Sequence, residues 1–169
     1  LWERGSARDL YMKKNYKKGS HLLRKGRYSK PGYYYFITTS TYKKANFLNT
    51  KQHFEIIFNS LKFLEKKGRI ELHFVIVMPD HIHAVLKLLE DQTLKYIMRS
   101  FKGYTGNMIK QSLDVTNQHI WQSQYYDHLI RKNESYTEIM KYCLYNPVRK
   151  GIVKEPQDYP FWWCKYELL

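Results

Sequence analysis

Apolar residues recur with two different periods along the chain, and these periods divide it into strands and helices. Tyr33–Thr41 is an aromatic and β-branched run after Pro31-Gly32 and reads as a first strand. Within Thr50–Lys67, Phe54, Ile57, Phe58, Leu61 and Leu64 fall at helical spacing, and Gly68 supplies the stop. From Ile70 to Met78 the period drops to two. Ile70, Leu72, Phe74, Ile76 and Met78 are expected on one face, with Val75 and Val77 on the other. A strand that is apolar on both faces belongs in the middle of a sheet. Pro79-Asp80 breaks the run, and His81–Leu89 alternates again with Ile82, Ala84, Leu86 and Leu88 on one side, so the two segments predict a hairpin. Leu94–Lys110 carries Leu94, Ile97, Met98, Phe101 and Met108 on one helical stripe and Lys95, Arg99, Lys102 and Lys110 on the other side. Tyr126–Arg131 is a short fourth strand. Ser135 then opens a last helix, with Glu138 completing a capping box, and Pro147 stops it.

The order β-α-β-β-α-β followed by a helix predicts an α+β, ferredoxin-like antiparallel sheet with helices packed on it and an added C-terminal helix. No internal repeat or linker divides the chain. Three segments are expected: a basic N-terminal arm over residues 1–30, one folded domain over 31–155, and an aromatic tail over 156–169 that covers part of the domain. Residues 1–11 read as extraneous leader sequence, with Met12 as the native start.

Composition narrows the class. The 169 residues are 43% hydrophobic, enough for one packed core. There are 29 Lys and Arg against 15 Asp and Glu, a formal charge of +14. A field of that sign attracts polyanions, nucleic acid above all. The arm alone, a mobile segment by its lack of apolar period, supplies a large part of it. Sixteen tyrosines among so many lysines suit single-stranded nucleic acid, because every base offers a face to stack on, although they suit a tyrosine-rich core equally well. No apolar run is long enough for a membrane anchor and no signal peptide is visible. Cys143 and Cys164 have neither metal-binding spacing nor a disulfide framework around them. The expected location is the cytoplasm, in association with the nucleoid.

His81 and His83 stand two apart on a predicted strand, so both imidazoles face one side, opposite Ile82 and Ala84. Such a pair is either half a metal site or two packed core histidines. His128 beside Asp127 invites a hydrolase reading, but no nucleophile elbow or glycine-rich loop accompanies it.

Three blocks decide between these readings. The first is Val75-Ile76-Val77-Met78-Pro79-Asp80-His81-Ile82-His83-Ala84-Val85-Leu86. The second is Ile120-Trp121-Gln122-Ser123-Gln124-Tyr125-Tyr126-Asp127-His128-Leu129-Ile130-Arg131. The third is Tyr142-Cys143-Leu144-Tyr145-Asn146-Pro147-Val148-Arg149-Lys150-Gly151-Ile152-Val153. In order, spacing and wording they resemble the single-tyrosine HUH transposases of the IS200-like group, in its REP-associated branch, over about Tyr33 to Val153. The resemblance implies that His81 and His83 bind a divalent metal, Mg²⁺ or Mn²⁺. It also implies that Asn146 completes the site and that Tyr142 is the nucleophile. Helix geometry fits the last two roles, since positions 142 and 146 lie on nearly the same side of a helix. Asp80 would stand beside the metal ligands or serve only as a turn residue.

The expected activity is nicking and strand transfer on hairpin-bearing single-stranded DNA through a 5′-phosphotyrosine. The alternative is a related protein that binds hairpin nucleic acid without cutting it. Lys95, Arg99, Lys102, Lys110 and Arg131 are the expected DNA-binding cations. A homodimer is compatible with the resemblance; a membrane partner and a small-molecule substrate are not expected.

Overall fold

The structure, a computed structural model, describes residues 29–89, 91–132 and 134–168. The basic arm, and the leader expected within it, lie outside these residues except for Ser29 and Lys30. The elements in chain order are β1 (Tyr34–Ser40), α1 (Lys51–Lys66), β2 (Ile70–Met78), β3 (His81–Leu88), α2 (Leu94–Ser112), β4 (Tyr126–Leu129), α3 (Tyr136–Leu144), α4 (Asn146–Arg149) and β5 (Trp162–Cys164). The sheet order is β4-β1-β3-β2-β5, with every pairing antiparallel. The first four strands, β1 to β4, follow the expected ferredoxin-like pattern, in which each crossover helix carries the chain past one intervening strand.

Local chemistry explains the boundaries. Thr50, Thr93 and Ser135 cap α1, α2 and α3, each side-chain oxygen accepting from the backbone N–H three residues on. Gly68, at φ 66°, takes the left-handed turn that closes α1. The last helix ends earlier than Pro147 alone would dictate. It breaks at Tyr145 and restarts as the single turn α4, with Pro147 near its start. Proline has no N–H to give the carbonyl of Cys143, and the N–H of Tyr145 closes the last turn of α3 on Lys141 O at 3.1 Å.

The sheet is covered on both faces. Tyr35, Ile37, Leu72, Val75, Val77, Ile82 and Leu86 pack against Ile57, Leu61 and Leu64 of α1 and Ile97, Met98 and Phe101 of α2. Phe36, Phe74, Ile76, Met78 and Val85 pack on the other side against Met140, Cys143 and Leu144 of α3, with Tyr159 and Leu168. The expectation for β2 needs one correction. Leu72 and Phe74 were expected on one face but lie on opposite ones, because the register of β2 against β3 shifts between them. The extra residue of this bulge is His73. It is fully buried, and neither ring nitrogen makes a hydrogen bond. Glu71 Oε1 lies 3.4 Å from Nε2, close enough for an ion pair were the ring protonated but not aligned as a hydrogen bond.

The aromatic tail contributes a strand that alternation did not reveal. Trp162–Cys164 pairs with Phe74–Ile76. Val77 N donates to Phe161 O at 2.8 Å, Lys165 N donates to His73 O at 2.9 Å, and the buried Tyr159 hydroxyl donates to Val77 O at 2.6 Å. Removing that hydroxyl leaves one carbonyl of a central strand short of a partner. Tyr159→Phe is expected to cost about 1–2 kcal/mol, read as a lower urea midpoint at unchanged slope; an unchanged midpoint would show that the tail adds nothing there.

Candidate functional site

The hairpin of β2 and β3 builds the floor of the site. β3 places His83 between Thr38 of β1 and Ile76 of β2, and His81 between Ser40 and Met78. Both imidazoles project to the α3 side, opposite Ile82 and Ala84, and are 7% and 8% exposed. Their Nε2 atoms are 3.1 Å apart. Asn146 closes the cluster from α4, its Nδ2 lying 3.3 Å from His81 Nε2 and 3.1 Å from His83 Nε2. An amide nitrogen has two hydrogens, one for each imidazole.

The outward-facing nitrogens are tied down as well. His81 Nδ1 is 2.5 Å from Asp80 Oδ1, and His83 Nδ1 is 2.8 Å from Thr38 Oγ1. A carboxylate only accepts, so His81 carries its proton on Nδ1 and turns a lone pair inward. The threonine hydroxyl can accept from His83 in the same way. Phe36 stacks on His83 with ring centroids 5.4 Å apart.

Electrostatics keep the pair neutral. Burial pushes both imidazoles below the ordinary histidine value, His83 well below it. For His83, the neighbouring His81 and then Arg149, Lys150 and Lys44 act in the same direction. For His81, Asp80 opposes burial without overcoming it. Burial also works against the Asp80 carboxylate, but His81, Lys150 and Lys44 outweigh it and hold it below the usual range. Neutral imidazoles with inward lone pairs are the form that binds a cation. Among the described residues no three His, Cys, Asp or Glu side chains form a metal-holding group; the polar side chain that meets both Nε2 atoms is the amide of Asn146.

Residues 29–145 match the family described as Transposase IS200 like. The chain belongs to the IS200-like transposase family. The match includes Tyr142 and ends one residue before Asn146. The REP-associated tyrosine transposase of Escherichia coli K12 is 26% identical over 135 residues, covering 79% of this chain and 77% of that one. A solved REP-associated tyrosine transposase bound to a REP hairpin superimposes with a TM-score of 0.65 at 23% identity, over 80% of this chain and 79% of that one. A Deinococcus radiodurans structure superimposes at 0.51 and 18% identity, over 75% of this chain and 94% of that one. Both superpositions concern the fold.

The remaining candidate residues fall in different places. Tyr142 sits one turn before Asn146, half-buried against the α3-side core. Arg149 lies over its ring, 3.9 Å from the centroid, and so links Tyr142 electrostatically to His83. The basic stripe of α2 is on the other side of the sheet, in the α1–α2 layer. Lys95 and Arg99 are exposed there and Lys110 is half-exposed. Lys102 donates to the carbonyls of Gln122 and Ser123 and pins that segment to α2. Arg131 is exposed beyond β4, near the start of α3, at the end of the sheet away from His81 and His83. Sequence reasoning missed Thr38, Lys44, Arg149 and Lys150 as members of the site. A threonine's position opposite a histidine is a matter of register, which no local pattern carries.

The buried histidines make acid stability testable. His73, His81 and His83 all stay neutral in the folded chain below the pH at which unfolded histidine takes up a proton. The unfolded state then binds more protons, so metal-free stability falls as pH drops below about 6.5, each such histidine adding at most about 1.4 kcal/mol per pH unit. Urea midpoints measured in chelator from neutral to mildly acidic pH should show this decline, and His83→Gln should flatten it. A pH-independent midpoint would mean that these rings are protonated in the native state.

Proposed function

We propose that the chain is a divalent-metal-dependent nuclease and strand transferase for hairpin-bearing single-stranded DNA. In this reading His81, His83 and Asn146 are the metal ligands and Tyr142 is the nucleophile. The observation that carries it is the meeting of two inward-facing Nε2 atoms and an amide at one point, one turn from a tyrosine, in a chain of this family. Two lone pairs 3.1 Å apart repel unless a positive charge lies between them or a donor caps them. The spacing also fits a cation: neighbouring ligands of an octahedral ion with bonds of about 2.1 Å are about 3.0 Å apart. The Asn146 amide offers its NH₂ to the bare lone pairs and has an oxygen end suited to a hard ion.

A bound Mg²⁺ or Mn²⁺ would supply Lewis-acid stabilisation of charge developing on a phosphate oxygen. The chain's residues supply the rest. Thr38 and Asp80 orient the imidazoles from behind, as outer partners of metal-bound histidines do. Arg149 holds the Tyr142 ring and adds positive charge where negative charge would grow. The Tyr142 oxygen bonds to phosphorus, the bond from phosphorus to the 3′ oxygen breaks, and that oxygen leaves with a proton while the phenol gives up its own. The product is a 5′-phosphotyrosine and a free 3′ hydroxyl. Attack by a 3′ hydroxyl on the phosphotyrosine reverses the step and joins strands without a nucleotide cofactor. The REP hairpin carried by the solved relative is what favours hairpin DNA as the substrate.

Tyr142→Phe keeps the ring and removes the hydroxyl. It should abolish the covalent adduct with a labelled hairpin strand in Mg²⁺ or Mn²⁺ while leaving stability and DNA binding close to wild type. A nucleotide mapped to another tyrosine, or an undiminished adduct from the variant, would overturn the assignment. No adduct from the wild-type chain, with tight hairpin binding retained, would favour the non-cleaving alternative.

His81→Ala and His83→Ala should each lower cleavage by on the order of a hundredfold or more with DNA binding kept. Asn146→Ala should raise the metal concentration needed by about tenfold. Metal titrations of cleavage check these expectations; equal cleavage by the double histidine variant in chelator would sink the metal assignment.

A further inference from the structure

Asp80 has more positive charge around it than one carboxylate requires. Its Oδ1 accepts the hydrogen bond from His81 Nδ1. Lys150 Nζ stands 3.7 Å from the same oxygen, and Lys44 Nζ stands 3.8 Å from Oδ2. Both separations are too long for hydrogen bonds, so neither ammonium is closed onto the carboxylate. The Lys44 ammonium donates instead to Ser40 Oγ at 2.7 Å. The lysine side chains are about half exposed, at 54% and 45%, whereas that of Asp80 is 17% exposed. With Arg149 over Tyr142, three cations border the histidine pair on the side opposed by this one acid.

The backbone is distorted to bring Lys44 there. Lys43 and Lys44 both occupy the left-handed region, at φ 53° and 59°, where side-chain-bearing residues are strained. Their loop is tied to the turn that carries Asp80. Thr41 N and Thr41 Oγ1 both donate to Asp80 O, at 2.9 and 3.1 Å, and Phe47 N and Leu48 N both donate to Pro79 O at 3.0 Å. Two consecutive strained lysines held against a metal-site turn are costly for solubility alone. Neutralising Asp80 does not explain both Lys44 and Lys150, since His81 is neutral and the charge of one ammonium, Lys150, already matches that of one carboxylate.

We propose that Lys44 and Lys150 form a two-lysine clamp for a DNA backbone phosphate, the one next to the phosphate that Tyr142 attacks. The inference rests on the nuclease reading for which phosphate reacts. Asp80 engages the far nitrogen of His81, so the lysines stand an imidazole ring and a carboxylate away from the Nε2 pair. That separation suits the neighbouring phosphate better than the reacting one. The clamp makes Lys44 and Lys150 positioning residues: they fix the register of the strand relative to the site. They touch none of the reacting atoms.

The test measures binding of a fluorescent hairpin oligonucleotide with a single-stranded arm, in full-length wild type, Lys44→Met, Lys150→Met and the double variant, across a range of KCl. Each lysine engaged on a single strand contributes about 0.7 to the slope of log K against log salt. The double variant should therefore lose about twice that, and Lys44→Arg and Lys150→Arg should keep the wild-type slope. A scan of single methylphosphonates along the arm should find one position that weakens wild-type binding and leaves the double variant unaffected. Peptide and nucleotide mapping of the adduct should place that position beside the phosphate joined to Tyr142. A wild-type slope in the double variant overturns the clamp, as does an identical methylphosphonate profile in both proteins, even if adducts form normally. A wild-type chain that never forms an adduct overturns the nuclease reading instead, and the slope and scan still decide the clamp. Thermal denaturation of each variant separates these effects from folding: a lysine that serves only Asp80 would move Tm and leave the slope alone.

Discussion

The register of β3 between β1 and β2 is the constraint on which the site depends. β3 is buried on both faces, and a slip of one residue would exchange His81 and His83 for Ile82 and Ala84. It would drive two imidazoles into the layer filled by α1 and α2 and turn apolar groups toward Asn146. The same register sets Thr38 against His83 and Ser40 against His81. The packing that holds the sheet and the geometry that orients the site are therefore one arrangement, and neither can change without the other.

Burial gives this arrangement its chemical character. Imidazoles at the surface would spend much of their time protonated or turned to water; in the sheet floor they are neutral and aimed. The cations around them come from two separate pieces of chain: the loop after β1, and the end of α4 with the residue just beyond it. These pieces reach the pair from above, where the sheet does not cover it. The site thus combines a neutral, desolvated base with a positive rim, an arrangement suited to drawing in an anionic backbone and excluding a cationic one.

The hairpin and the first two helices were legible because each has a clean period, and the shared direction of His81 and His83 follows from the two-residue repeat of a strand. The inversion of β2 at His73 was not legible, because a bulge is set by the partner strand as much as by the residues that bulge. The strand at Trp162–Cys164 escaped for a related reason: three residues are too few to show alternation, and their pairing is long-range. Asn146 reached the expected neighbourhood by a route that a continuous helix does not describe, since the backbone breaks at Tyr145. Charge counting identified the basic face of α2 but could not reveal that Lys102 is occupied with backbone carbonyls or that the whole stripe lies across the sheet from the histidines. Thr38 and Lys44 became visible only with strand register and loop conformation, both tertiary properties.

The pairing of Trp162–Cys164 with β2 also bears on how the chain survives its own synthesis. Until that short strand docks, Phe74–Ile76 presents open N–H and C=O groups on one of the most apolar strands of the protein. Such an edge recruits any other strand within reach, including the same segment of a neighbouring chain. Its cover is encoded far downstream, so nascent chains with β2 already folded carry a sticky border until Trp162 has left the ribosome. A cut that removed Trp162, Trp163 and Cys164 would leave that border open, so the three residues cover an edge of the kind that aggregates as well as complete the sheet.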